Sequence, residues 1–176
     1  MKDILHFEPL TPSKYQKYIA VGTIAYNQHY KHLWPSGNSA PYIQSSFTEA
    51  VLKKEESDAN TILYLIQLNG KIVGIFKITL NCKLDSFSKN KALCIEKIYV
   101  LNAYAGKGIG KKVLQFAELR AQEMNKEIVW LDTMQKGPAL KFYLQNGYEI
   151  HDESKVHFPT VIEDESLMWI MKKVVG

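Results

Sequence analysis

Hydrophobic residues recur along the chain with two different periods, which predict both strands and helices. Short runs rich in β-branched and aromatic residues indicate strands, and apolar residues three and four positions apart indicate helices. The predicted strands cover residues 3–9, 61–68, 71–80, 92–100, 127–133, 148–154 and 166–174. The predicted helices cover residues 12–28, 39–54, 108–124 and 137–145. The order of elements is therefore β-α-α-β-β-β-α-β-α-β-β.

This order predicts a mixed sheet with helices on both faces, an α/β (α+β) fold. Asn69 and Gly70 separate two strand-like runs and form the strongest short-range hairpin signal. Gly74, inside the second run, marks a bulge or a close approach of two backbones. In the second half, strand, helix and strand follow one another, which predicts a parallel pair. Ligands bind at the carboxyl ends of such parallel strands.

Length and composition favour one globular domain over residues 1–176. Hydrophobic residues make up 46% of the chain and charged residues 23%, which is ordinary for such a domain. No apolar run reaches 18 residues, and the N-terminus lacks the apolar core of a secretory signal, so we expect no membrane contact. Cys82 and Cys94 lack the spacing of a metal site or a disulfide framework. We therefore expect a cytoplasmic protein without a metal.

The net charge of +4 is modest, and the lysines are spread along the chain. A nucleic-acid partner would require a basic face with aromatic residues among the charges, and we expect none. A small anionic ligand needs only a local cluster of cations. Such a cluster exists at Lys107, Lys111 and Lys112.

Three glycines, Gly106, Gly108 and Gly110, lie between a predicted strand and a predicted helix. A tight turn alone would account for a glycine-rich connector. However, the unpaired N–H groups of a helix start and the positive end of its dipole bind phosphate oxygens. The patterns of Walker A and of dinucleotide-binding loops are both absent. With the adjacent lysines, the loop predicts a pyrophosphate site of another kind.

The stretch IEKIYVLNAYAGKGIGKKVL resembles the acetyl-CoA-binding segment of the GNAT superfamily of N-acetyltransferases. That segment is a strand ending in hYV, a linker and [QR]xxGxG at a helix start. Gly108 and Gly110 match, while Ala105 stands in place of Gln or Arg. GPALKFYLQNGYEI is similar to the family's NxxAxxFYxxxGF, with Lys136 at the position of Asn. The resemblance covers residues 60–174.

The resemblance implies a mostly antiparallel seven-stranded sheet with a parallel, splayed central pair. It also implies acetyl-CoA as co-substrate, with the pantetheine arm along the strand edge and the pyrophosphate in the glycine loop. The cofactor-binding positions carried over are Ile98, Tyr99, Val100, Ala105, Gly106, Lys107, Gly108, Ile109, Gly110, Lys111, Lys136 and Tyr143.

The resemblance implies Glu96 and Tyr143 as catalytic residues. Glu96 would act as a general base, directly or through water, and Tyr143 would protonate the leaving thiolate. Strand alternation predicts that Glu96 shares a face with Ile98 and Val100. A surface ion pair for Glu96 and a core packing role for Tyr143 are the competing interpretations.

The acceptor side is predicted from an aromatic segment and a narrower likeness. His29, Tyr30, His32 and Trp34 are the candidate substrate-binding residues, since aromatic rings hold cations. AYNQHYKHLW and ESLMWIMKK are similar to segments of bacterial polyamine N-acetyltransferases. The acidic run at residues 163–165 would attract a polyamine. A packed loop and a solvated turn are the alternatives.

The sequence therefore predicts an acetyl-CoA-dependent N-acetyltransferase that acts on a small primary amine, with a polyamine as the suggested acceptor. Direct attack in a ternary complex is expected, because neither cysteine occupies a matched catalytic position. Acetylation of a protein N-terminus or lysine is one alternative, and a CoA-binding sensor without catalysis is another. A homodimer through the final strands is a further hypothesis.

Overall fold

The computed structural model describes residues 2–176, which form one seven-stranded sheet flanked by five helices. The strands are β1 (Leu5–Pro9), β2 (Thr61–Leu68), β3 (Lys71–Thr79), β4 (Ala92–Val100), β5 (Ile128–Met134), β6 (Glu149–Lys155) and β7 (Leu167–Val174). The helices are α1 (Tyr15–Tyr30), α2 (Ala40–Ser46), α3 (Glu49–Ser57), α4 (Ile109–Glu123) and α5 (Ala139–Gln145). The spatial order is β1-β2-β3-β4-β5-β7-β6. Among the strand pairs of residues 2–176, only β4–β5 is parallel, which confirms the predicted fold class.

The predicted helix at residues 39–54 is two helices. Phe47 leaves the helical conformation after α2, and its ring lies in the core at 3% exposure. Thr48 then caps α3, because its side chain accepts a hydrogen bond from the N–H of Val51. Burial of one aromatic ring and a capping threonine together explain the break.

The hairpin between β2 and β3 forms as predicted. Asn69 and Gly70 both have positive φ angles, 51° and 78°, as the tight hairpin turn requires. Gly74 lies where β3 and β4 approach closely. A Cβ added there would lie 2.5 Å from the carbonyl oxygen of Tyr99. The glycine is therefore required by the backbone of the neighbouring strand.

Two hydrophobic layers cover the sheet. On one face α4 packs through Val113, Leu114 and Ala117. On the other face α1 and α3 pack through buried residues such as Tyr18 and Leu52. The side chains of β4 divide between these layers, so β4 contributes to both.

The pairing of β4 with β5 is short. It covers only Ala92 with Ile128, Leu93 with Val129 and Cys94 with Trp130. Beyond these pairs β4 continues along β3, while β5 continues along β7 to Met134. The two central strands therefore diverge and leave a cleft between their carboxyl ends.

Both cysteines of the chain are free thiols, and Cys94 is buried on β4. In the part of the chain that the structure describes, no three His, Cys, Asp or Glu side chains gather as metal ligands would. Across residues 2–176, no helix has the length and apolar character needed to cross a bilayer.

Replacing Gly74 with alanine is expected to destabilise the fold by about 1–3 kcal/mol, because the new methyl group must displace the backbone of β4. Urea denaturation measures the change. Lys71→Ala, at an exposed position of the same strand, is the matched control and should change stability by less than about 0.5 kcal/mol. Equal stabilities of Gly74→Ala and the wild-type protein would contradict the close approach.

Candidate active site

The cleft between the diverging strands has a volume of about 300 Å³. Its walls combine aromatic rings with a few charged groups. The aromatic residues are Tyr26, Tyr30, Tyr42, Tyr99, Tyr143 and Phe158, and the ionisable residues of other types are Glu96, Lys97, Asp132 and His157. A cavity with apolar walls and a few polar groups is the usual form of a small-molecule site.

The glycine loop lies beyond the end of β4, directly before α4. Gly106 and Gly108 have φ angles of 74° and 76°, a conformation that strongly favours glycine. The backbone N–H groups of residues 106–111 find no hydrogen-bond acceptor within residues 2–176. Lys107 and Lys111 are exposed beside them. Free N–H groups at a helix start, with cations nearby, fit a pyrophosphate.

Gly110 has a different role from the other two glycines. A Cβ at this position would lie 2.9 Å from the Phe142 ring, so Gly110 allows α4 to pack against α5. Close packing of two helices therefore explains why residue 110 has no side chain, and its cofactor contact through the backbone stays a prediction.

A bulge in β4 corrects the predicted orientation of Glu96. Lys97 is opposite Lys77 in β3, and Ile95 is opposite Ile78, so Glu96 is the extra residue between two pairs. Alternation is lost at the bulge, and Glu96 lies against Lys77 instead of sharing a face with Ile98. Glu96 and Lys97 therefore both face the α1 and α3 side of the sheet.

Glu96 belongs to a charged cluster on this face. The ammonium of Lys77 lies 2.7 Å from Glu96 and 2.6 Å from Glu55, and the Thr79 hydroxyl donates to Glu96. Burial alone would raise the pKa of Glu96, but the hydrogen bonds from Lys77 and Thr79 lower it overall. The carboxylate is therefore ionised and is a weak base.

Lys97 is a site residue that sequence reasoning missed. Its ammonium lies 5.8 Å from the centre of the Tyr42 ring and 5.4 Å from that of Phe47. Burial lowers the pKa of Lys97 to about 8, while the nearby carboxylate of Glu55 opposes the shift. A lysine inside a strand that is otherwise largely apolar was the available signal.

Tyr143 reaches the cleft from α5 and packs against the hydrophobic core. Its ring centre lies 5.1 Å from that of Phe142 and 6.0 Å from that of Tyr148. Its hydroxyl makes no hydrogen bond within the described residues, and burial raises its pKa above the ordinary value. The phenol therefore keeps its proton at neutral pH and is free to donate it.

Of the four predicted acceptor residues, only Tyr30 lines the cleft. The Nε2 atom of His29 is 2.7 Å from the carbonyl oxygen of Val100 and so secures the end of β4. His32 is exposed. Trp34 is 2% exposed, and its indole N–H donates to the hydroxyl of Tyr26, so it is a core residue. His29 is turned from the cleft near the end of α1, whereas His32 and Trp34 follow α1 in a short 3₁₀ turn and at its end.

Tyrosines from three elements line this part of the cleft instead. The rings of Tyr26 and Tyr42 stack with centres 3.9 Å apart. The hydroxyl groups of Tyr42 and Tyr99 are 2.6 Å apart. Because these residues are 16 and 57 positions apart, their meeting could be found only from the fold.

The acidic run at residues 163–165 is largely neutralised. Glu165 pairs with Lys136 at 3.1 Å, and Glu163 pairs with Lys155 at 3.5 Å. The ion pair with Glu165 also engages Lys136, one of the predicted cofactor-binding positions. The run therefore offers little free negative charge to a distant cation.

Comparison with known proteins gives consistent matches. A family model described as Acetyltransferase (GNAT) family matches residues 21–148. An uncharacterized N-acetyltransferase from the pepI 3' region of Lactobacillus delbrueckii subsp. lactis is 23% identical over 77% of this chain and 78% of that protein. The aminoalkylphosphonate N-acetyltransferase of Salmonella typhimurium is 31% identical over 52% of this chain and 59% of that protein.

Among solved structures, PaiA N-acetyltransferase from Thermoplasma acidophilum, in complex with coenzyme A, has the same fold. Its TM-score is 0.76 at 15% identity, over 97% of this chain and 99% of that one.

Gly108→Ala is expected to weaken coenzyme A binding by about tenfold, because the left-handed conformation costs an alanine about 1–2 kcal/mol. Isothermal calorimetry measures the affinity. Gly70→Ala is the matched control, since Gly70 has nearly the same φ angle of 78° in a distant hairpin. It should lose stability and keep its affinity for coenzyme A. Equal affinities in both variants would contradict a cofactor role for the loop.

Proposed function

The chain belongs to the acetyltransferase (GNAT) family, and we propose that it transfers the acetyl group of acetyl-CoA to the primary amine of a small molecule. The observation that carries this proposal is the cleft itself. Tyr143 faces it from one side, Glu96 and Lys97 face it from another, and the unpaired edge of β4 lies between them. This arrangement supports the proposal, because the residues that would activate the nucleophile and protonate the leaving group line one cavity.

The chain offers acetyl-CoA two kinds of contact. The free N–H groups of residues 106–111 would bind the pyrophosphate, with Lys107 and Lys111 adding positive charge. The edge of β4 at residues 98–100, which β5 leaves unpaired, would bind the pantetheine arm as an added strand. When bound there, acetyl-CoA supplies an activated acetyl thioester.

The side chains of the cleft suit the chemistry of acyl transfer to an amine. An alkylammonium is mostly protonated at pH 7, and removing its proton costs roughly 4.6 kcal/mol. Glu96 as base or proton relay stays a prediction, and its negative charge would attract the ammonium. A backbone N–H of Ile98 or Tyr99 would polarise the carbonyl oxygen. Tyr143 would donate its phenolic proton to the departing thiolate.

The aromatic walls favour a small amine as acceptor. Tyr26, Tyr30, Tyr42 and Tyr99 line the cleft, and aromatic rings of this kind would contact a compact cation and its carbon chain. The polyamine suggested by the sequence remains a candidate of this kind. Two observations weaken it: the acidic run is paired with lysines, and Lys97 adds a cation inside the cleft. The relative that acts on aminoalkylphosphonates supports an amine that also carries an anionic group.

Thiol release from acetyl-CoA distinguishes these acceptors. We expect turnover with at least one small primary amine among spermidine, spermine, putrescine, amino acids and aminoethylphosphonate. A peptide with a free N-terminus and a lysine is the control for protein acetylation. Release with the peptide alone would contradict a small-molecule acceptor. Tight coenzyme A binding without release from any amine would favour a sensor.

Tyr143→Phe is expected to lower kcat by about 100-fold, because the leaving thiolate loses its proton donor. The affinity for coenzyme A should stay the same, since the ring is retained. Tyr148→Phe is the matched control: Tyr148 is a buried neighbour that does not line the cleft. A wild-type kcat in Tyr143→Phe would eliminate the proposed acid.

A further inference from the structure

Four charged side chains lie together on the side of the sheet that α1 and α3 cover: Glu55, Lys77, Glu96 and Lys97. Three of them form ion pairs, and Lys97 does not. Lys77 lies between Glu55 and Glu96 and binds both. The second oxygen of Glu96 accepts from Thr79. One cation between two carboxylates leaves a net charge of −1, and both oxygens of Glu96 are occupied. Lys97 makes no hydrogen bond or ion pair within residues 2–176.

Lys97 is held where an acceptor amine would enter. The β4 register places it directly opposite Lys77, and therefore on the same face of the sheet. It precedes Ile98 and Tyr99, whose backbone is the unpaired edge of the cleft. The rings of Tyr42 and Phe47 surround its ammonium group. Its nitrogen is thus the one on this wall without a polar partner.

We propose that the neutral side chain of Lys97 accepts the proton that the acceptor ammonium must lose before it attacks the acetyl group. The lone pair of Nζ forms the new N–H bond, and the N–H bond of the acceptor breaks and leaves its electron pair on the acceptor nitrogen. Lys97 becomes an ammonium and later releases the proton to solvent. This inference rests on the proposed function.

The strength of the two neighbouring bases favours Lys97 over Glu96. Lys97 has a pKa of about 8, and an acceptor ammonium has a pKa of about 10.4. Proton transfer from the acceptor to Lys97 is therefore disfavoured by roughly 250-fold at equilibrium. Glu96 is a much weaker base, because the hydrogen bonds from Lys77 and Thr79 outweigh burial and hold the pKa of its carboxyl below the ordinary value, so the same transfer to Glu96 is far less favourable. A base whose pKa lies near the working pH is the more effective one.

The number of charged groups in the cleft also favours this transfer. The cluster of Glu55, Lys77 and Glu96 carries −1, which one ammonium balances. Passing a proton from the acceptor amine to Lys97 moves that ammonium without creating or removing charge inside the cleft. Protonation of Glu96 would instead remove the charge that Lys77 requires. The ionisable groups around Lys97 are Glu55 on α3, Tyr42 on α2, Lys77 on β3, Glu96 on β4, and Asp132 and His157 at the cleft wall.

Two substitutions separate proton acceptance from charge. Lys97→Met removes both, whereas Lys97→Arg keeps the cation but cannot accept a proton at working pH. We expect kcat/KM to fall by roughly 100-fold or more in both variants. In the wild-type protein kcat/KM should rise about tenfold per pH unit and level off near pH 8, and this break should be lost in both. Lys53→Met, at an exposed position of α3, is the control.

Activity close to wild type in Lys97→Arg would overturn the proposal and leave Lys97 as a source of charge alone. Coenzyme A affinity and thermal unfolding should be unchanged in both variants. If a variant fails these checks, the labelling measurement below tests the proposal instead, because it uses the wild-type protein.

A direct readout needs no acceptor. Pulse labelling with trace acetic anhydride, read by mass spectrometry, reports the neutral fraction of Lys97 at each pH. We expect a midpoint near pH 8 for Lys97, with exposed Lys53 read in the same spectra as the internal reference for labelling. Glu96→Gln should lower the midpoint of Lys97, because the Glu96 carboxylate favours the ammonium. A midpoint above pH 10 would overturn the proposal. If no amine is acetylated while the midpoint lies near pH 8, the proposed function fails instead.

Discussion

The divergence of β4 from β5 is the constraint on which the site depends. Buried backbone N–H and C=O groups must find partners, and strands normally supply them to each other. Here β5 forms seven pairs with β7 but only three with β4. The remaining edge of β4 is held in an extended conformation by β3 on its other side. A ligand that donates and accepts hydrogen bonds along this edge would extend the sheet as a strand does.

A single extra residue then determines which groups face the cleft. Without the bulge, Glu96 and Lys97 would point to opposite faces of the sheet, and only one of them would lie on the side of Lys77. The bulge turns both to the same side, beside Lys77. A charged cluster therefore occupies a face that is otherwise apolar around β3 and β4. Bulges next to active sites commonly redirect side chains in this way.

Local signals in the sequence predicted much of this arrangement, and contacts between distant segments account for what was missed. Asn69 with Gly70 and the glycines before α4 have a conformation that depends on neighbouring residues alone. The bulge at Glu96 is a property of the pairing with β3, and strict alternation therefore misplaced it. Trp34 looks like a ligand-binding aromatic in the sequence, but its contacts with Tyr26 make it core.

The charges and rings of the cleft bear on how the proposed acceptor would be selected. The two carboxylates near Lys77 are already shared with that cation, so further ammonium groups on an acceptor would compete with Lys77 for them. The wall of tyrosines offers area for contact along a short chain instead. Under the proposed function, affinity would come from contact with the rings and from shape, while charge would serve the reacting nitrogen. Such a site would discriminate by the length and bulk of the acceptor more than by its number of positive charges.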